Sequence, residues 1–287
     1  MRLTEATTRF IDFLQSQEIG SSSQFPDLMR NEEVTPEALS REQIETSLNL
    51  LTAYFSDVDF ADIATAQLRD FLARWYVEEA TANFTSLYGR PSVVAPAHNN
   101  AERGGQGRPP VQASENQSDF ENNDSRILPD AKTFLAALGA FFQWTKQNTN
   151  NEESPDHLTI LDELQETLPH AITLGVALSQ AVTNRGGAFL FPEFLTSFEA
   201  GGHSEYDIGT GGEASPCESY FRIVKIEENE VEAEDLLLEE NVAPILFPEI
   251  VVPLLKENYI INLELLPTQN GWQILQCGFA YPPNTEV

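Results

Sequence analysis

The order of apolar and polar positions divides the chain into a helical part and a strand-rich part. Over residues 3–17, Leu3, Phe10, Phe13 and Leu14 fall on one helical face, with Glu5 and Asp12 elsewhere. Gly20 and the serines Ser21 to Ser23 stop that helix. Ser40 to Gln43 has the form of a capping box, in which the serine hydroxyl accepts from an early amide and the glutamine reaches back. Ile44, Leu48, Leu51, Tyr54 and Phe55 then recur at helical spacing, and Asp57 to Asp59 ends the run. Thr65 opens another helix, carried by Leu68, Phe71, Leu72, Trp75 and Tyr76.

Residues 91–126 break the pattern. They are rich in Pro, Gly, Asn, Gln and Ser, and Phe120 is their one aromatic residue. Such a stretch cannot offset its ordering entropy by burial, so it is expected to be a mobile linker or an insertion. From Pro129 the helical period resumes. Asp130 is placed to cap a helix containing Phe134, Leu135, Leu138, Phe141, Phe142 and Trp144, which Asn148 to Asn151 ends. Asp156 is placed to cap the next, with Leu158, Leu161, Leu164 and Leu168, and Pro169 is expected to bend or restart it. Ile172, Leu174, Val176, Leu178 and Val182 extend the apolar run to a stop at Gly186-Gly187.

Beyond Gly201, Gly202, Gly209, Gly211 and Gly212 the period changes to that of short strands. Tyr220 to Ile226, Val231 to Leu238, Ala243 to Phe247, Tyr259 to Leu265 and Trp272 to Phe279 are the candidates. Glu227 to Glu230 makes a polar turn between the first two, and Asn270-Gly271 is a hairpin signal before the last. Pro253 argues against a central strand in Pro248 to Leu255. The pattern therefore predicts an α+β protein: a mostly helical N-terminal body followed by a small C-terminal antiparallel β-barrel, SH3-like or OB-like. The expected parts are a helical stretch 1–90, the low-complexity stretch 91–126, a helical stretch 127–198 packed with the first, a Gly-rich connection 199–215, and an acidic barrel 216–287.

Charge narrows the range of functions. The 287 residues hold 45 acidic and 16 basic groups, a formal net charge of -29. Residues 201–287 carry 16 acidic groups against Arg222, Lys225 and Lys256. Tyr220, Phe221, Tyr259, Trp272 and Tyr281 have the rings to stack on bases, but the positive potential that draws a nucleic acid is missing. An anionic membrane is repelled for the same reason. The acidity itself is accounted for by simple solubility or life at high salt as readily as by function. Cys217 and Cys277 are too few for a disulfide scaffold and are expected to be free thiols. The opening MRLTEATTRF lacks the apolar stretch of a signal peptide, and no segment has the length of a membrane span, so a cytoplasmic protein is expected.

Local chemistry is sparse. His98, His157, His170 and His203 form no paired ligand motif, and HExxH and CxxC are absent. Gly201-Gly202-His203-Ser204-Glu205 holds a base, a nucleophile and an acid, but adjacent residues rarely point at one another. Gly209-Thr210-Gly211-Gly212 lacks the lysine of a phosphate loop and is followed by Glu213. Asp57, Asp59 and Asp62 miss the calcium-loop pattern and are better read as helix-end capping. Carboxylate pairs such as Glu152-Glu153, Glu227-Glu228 and Glu239-Glu240 are what a solvated face looks like.

These observations point to a non-enzymatic protein-binding or adaptor protein. Its expected partner is a protein with a basic surface, and no cofactor, metal or catalytic residue is assigned. The candidate contact residues are Glu227, Glu228, Glu230, Glu232, Glu234 and Asp235, the densest run of acids, with Phe191, Phe194 and Phe198 in the phenylalanine-rich stretch Ala188 to Phe198. An enzyme with a cleft between body and barrel, or a structural subunit of a larger complex, are the alternatives.

Overall fold

The computed structural model describes residues 1–19, 39–56, 58–88, 128–148, 156–184, 188–189, 216–228 and 230–287. A helical body comes first and a closed five-stranded barrel follows, as the change of period predicts.

Helix α1, Leu3–Ile19, buries Leu3, Ala6, Phe10 and Leu14. Helix α2, Arg41–Phe55, starts at the expected box: Gln43 N donates to Ser40 Oγ at 3.2 Å, and Ser40 N donates to Gln43 Oε1 at 2.8 Å. Helix α3 is continuous but changes pitch. Thr65–Asp70 is α-helical, Phe71–Tyr76 is π-helical, and Val77–Tyr88 is α-helical again. The wider turn brings Phe71, Leu72, Ala73, Tyr76 and Val77 into the core together. Helix α4, Ala131–Asn148, is capped by Asp130, which accepts from Lys132 N and Thr133 N at 3.1 Å. Helix α5, His157–Thr183, runs unbroken through Pro169, so that proline does not restart it.

The barrel is built from β2 (Cys217–Glu227), β3 (Glu230–Asp235), β4 (Glu240–Leu246), β5 (Ile260–Thr268) and β6 (Gly271–Tyr281). Strands β2, β3 and β4 form a meander, and β5 returns to lie antiparallel beside β2. That is the Greek-key order. Strand β6 then pairs with both β5 and β4 and closes the sheet. Four of the five barrel pairings are antiparallel. The closing one, β4 with β6, is parallel and short, matching Ile245 with Trp272 and Leu246 with Gln273. A closed five-stranded Greek key is the OB-like of the two barrel types expected. Asn270-Gly271 turns the last hairpin, where Gly271 takes φ +121°, a conformation that side chains disfavour.

Two details differ from the sequence pattern. A further strand, β1 (Ala188–Phe189), runs parallel to β6 beside Gln276 and Cys277, too short to register as a period. Strand β3 stops at Asp235 rather than Leu238. The Asp235 carboxylate accepts from Leu237 N at 2.9 Å and Leu238 N at 3.2 Å, and this local pairing turns the chain out of the ladder. The Pro248 to Leu255 stretch is a turn and a 3-10 helix, Val252–Leu254, as Pro253 suggests.

The two parts share α5. Ile160, Leu161, Leu164, Leu168 and Ile172 belong to the helical core. Ala171, Leu174, Leu178 and Val182 belong to the barrel core, with Phe221, Ile223, Val231, Ile245, Ile261 and Leu263. In return, Ile260, Phe279 and Tyr281 leave the barrel to join the helical core. At Gly175 the packing is close: a Cβ there would sit 3.4 Å from both Ala280 N and Thr81 Cγ2. No helix among the described residues is long and apolar enough to cross a membrane.

Candidate functional site

The acidic run occupies the β2–β3 hairpin. Lys225 and Glu227 on β2 face Glu232 and Glu230 on β3, and Arg222 faces Glu234. Glu227, Glu228 and Glu230 are exposed at its tip, where Glu228 takes φ +50°. The two cations of the hairpin are already engaged. Lys225 Nζ lies 2.5 Å from Glu227, and Arg222 grips Glu234 through its Nε and Nη2. Glu232 accepts from Asn241 Nδ2 at 2.9 Å. Five of the six acids therefore lie on or near the surface.

Asp235 does not lie on that face. It is fully buried, accepts from the Ser219 hydroxyl at 2.6 Å, and ties down the turn after β3. Its role is in the fold. Phe191, Phe194 and Phe198 lie outside the described residues, as do His98, His203, the Gly201–Glu205 constellation and the Gly209–Gly212 run.

The junction of body and barrel is polar as well as apolar. Along α3, Asp70, Arg74 and Glu78 recur every fourth residue, with Arg74 3.8 Å from Asp70 and 3.7 Å from Glu78. Tyr54 donates to Asp70 at 2.7 Å, and Tyr281 of β6 donates to Glu78 at 2.9 Å. Burial pushes the Glu78 carboxyl above the usual range, against the pull of the Tyr281 hydroxyl and Arg74. Burial also lifts Tyr54 to about 12. Two histidines serve as ties. His157 Nε2 donates to Ile63 O at 2.8 Å, and His170 Nε2 donates to Leu254 O at 2.7 Å; burial lowers both. Of these ties, Tyr281–Glu78 and His170–Leu254 join body and barrel, whereas Tyr54–Asp70 and His157–Ile63 lie within the helical body. An open groove of about 540 Å³ lies nearby, lined by Arg69, Glu163, Leu164, Thr167, Pro283 and Asn284. Arg69 and Glu163 pair across it.

One constellation escaped the sequence pattern. Glu218 on β2 stands directly opposite Glu264 on β5. Both carboxyls are raised, first by burial, and Glu218 also by the charge of Glu264. The amide of Asn262 stands beside Glu218, and that of Gln276 beside Glu264. Glu218 Oε1, Glu264 Oε2 and Asn262 Oδ1 are buried without a hydrogen-bond partner. Alternation places each glutamate on the outer face of its strand, but only the pairing register makes them neighbours.

Both cysteines are free thiols, as expected. Cys217 pairs with Leu265 and Cys277 with Leu263, so the two flank opposite edges of β5. Among the described residues no group of three or more His, Cys, Asp or Glu is placed to hold a metal ion. No family model, curated protein or solved structure matches this chain.

Proposed function

We propose that the protein is a binding module whose barrel engages a basic protein partner through the exposed acids of the β2–β3 hairpin. The observation that carries this reading is the tip itself: Glu227, Glu228 and Glu230 are exposed, and the hairpin cations Arg222 and Lys225 are committed to Glu234 and Glu227. A concentrated field of one sign steers an oppositely charged surface and rejects like-charged ones. The test is affinity capture from native extract at low and high salt, with wild type beside E227K/E228K/E230K/E232K. A basic partner that is lost at high salt, and lost at low salt from the charge-reversed chain, supports the proposal. Capture of the same partner at low salt by both chains refutes it.

A second reading, an enzyme acting between body and barrel, is favoured by the groove at Arg69, Glu163, Thr167 and Asn284. A thermal-shift screen of small metabolites tests it. A hit abolished by Glu163→Gln supports that reading, and a screen without hits removes it.

A further inference from the structure

We infer that the hairpin end of the barrel takes a segment of a protein partner in which a basic cluster is followed directly by apolar residues. This rests on the hairpin reading and adds what must follow the basic cluster. The register lines up one row of outward positions around the barrel. Glu227 stands opposite Glu230, Glu230 opposite Leu246, Leu246 opposite Gln273, and Gln273 opposite Leu266. Residues directly opposite on paired strands share a face. The row therefore reads acid, acid, leucine, glutamine, leucine across β2, β3, β4, β6 and β5.

The apolar half of that row is the observation independent of charge. The inward neighbours Ile245 and Leu265 are fully buried and already fill the barrel core, so Leu246 and Leu266 are not needed there. Alternation ordinarily puts polar residues at such outward positions. Instead Leu246 is 37% exposed and Leu266 is half-buried. Ile250, in the turn that follows β4, is 75% exposed, while its neighbour Val251 supplies the buried anchor of that turn. On the acidic half, only Glu227 of the facing pair has a cation beside it among the described residues, Lys225 at 2.5 Å. Like charges directly opposite each other weaken a hairpin end, and a partner's cations remove that repulsion.

Charge complementarity and spacing select the occupant. Neighbouring strands lie about 5 Å apart, which puts Leu246 about 5 Å from Glu230 and about 10 Å from Glu227 across the ladder. An extended segment advances about 3.3 Å per residue, so a cation over Glu227 and an apolar side chain over Leu246 are about three residues apart in one chain. A nucleic acid or an anionic membrane is repelled by the net charge of -29. A protein segment is the occupant that supplies positive charge and apolar side chains side by side.

The test uses the full chain and two labelled synthetic peptides, one with a lysine block followed by a leucine block and one with serine in place of leucine. Fluorescence anisotropy at constant ionic strength gives the affinity of each for wild type, for Leu246→Ser with Ile250→Ser, and for Glu227→Lys with Glu230→Lys. Wild type is expected to bind the lysine–leucine peptide about tenfold tighter than the lysine–serine one, as burial of about one leucine would give. The chain with serine at both apolar positions is expected to bind the two peptides alike, and the charge-reversed chain to bind neither. Equal affinity of wild type for the two peptides overturns this inference and leaves the hairpin reading standing; that comparison needs no variant. A preference that survives the two serine substitutions also overturns it, because the leucine block is then held elsewhere. Unchanged binding of both peptides to the charge-reversed chain, or no binding of either to wild type, overturns the inference together with the hairpin reading.

Discussion

Substituting Gly278 with alanine puts the packing of the barrel's outer strip under direct test. Strand positions ordinarily prefer alanine to glycine, so a position free of crowding would gain stability from the change. Here the new Cβ would lie 2.3 Å from Asn262 Oδ1, 3.1 Å from its Cγ and 3.2 Å from its Cβ. Three atoms of one side chain are too close, so a small rotation of the amide does not clear them. Asn262 is only 2% exposed and cannot swing into solvent. Forcing an extra methyl into such packing costs about 1–3 kcal/mol, and the unyielding neighbour puts Gly278→Ala near the upper end. The same substitution in an Asn262→Ala background should cost nothing or stabilise slightly, because the crowding partner is gone. The expected coupling is therefore about 2 kcal/mol, within the range for residues in contact. Equilibrium urea unfolding of the four chains, followed by tryptophan fluorescence and far-UV circular dichroism, gives the cycle. Strict additivity, or a Gly278→Ala loss below about 0.5 kcal/mol, would refute the steric argument.

Asp235→Ala should cost about 3 kcal/mol in urea unfolding, since it strands the buried Ser219 hydroxyl and two turn amides, and Asp235→Asn should cost clearly less. Equal losses from the two would contradict the hydrogen-bond account. Burial lowers the pKa of His157 and His170, so their stabilising contribution is present above the ordinary histidine value of 6.5 and is lost as pH falls below it. Thermal unfolding between pH 7.5 and 5 should accordingly show a decline that His157→Gln with His170→Gln makes shallower; an unchanged slope would count against both ties. Burial lifts the Cys277 thiol to about 12, so a native-state thiol titration should leave it unreacted and a denatured one should find both cysteines. Rapid reaction of two thiols in the folded chain would contradict that burial.

Much of this fold follows from periodicity. The helices at Leu3, Arg41, Thr65, Ala131 and His157 begin where apolar spacing places them, because each buries one stripe and local pattern suffices; Ser40 and Asp130 cap as expected, whereas Asp156 precedes its helix without a capping hydrogen bond to the backbone. The barrel strands are legible for the same reason, and their order is not. The parallel closure of β4 on β6 joins residues far apart in sequence, through a contact of two residue pairs. Asp235 is a nearer case. The period of two puts it on the side of Val231 and Ala233, which are buried, so its inward position was readable from β3 even though composition groups it with the surface acids. The Glu218–Glu264 pair was beyond reach, because it depends on register. That register is the antiparallel pairing of β2 with β5, from Cys217 with Leu265 to Arg222 with Ile260, between strands some forty residues apart. No local run of residues announces that pairing.

The double allegiance of α5 has a bearing on how this architecture can be inherited. Its early turns complete the helical core and its later turns complete the barrel core. A fragment beginning at residue 216 would carry every barrel strand and still lack Ala171, Leu174, Leu178 and Val182, leaving an apolar face open to water. A fragment ending before it would lack Ile260, Phe279 and Tyr281. Neither part is a cassette that recombination could move into another protein by cutting at the glycine-rich stretch between them. The barrel, its helix and the helical body share apolar positions in both directions, so they are inherited together.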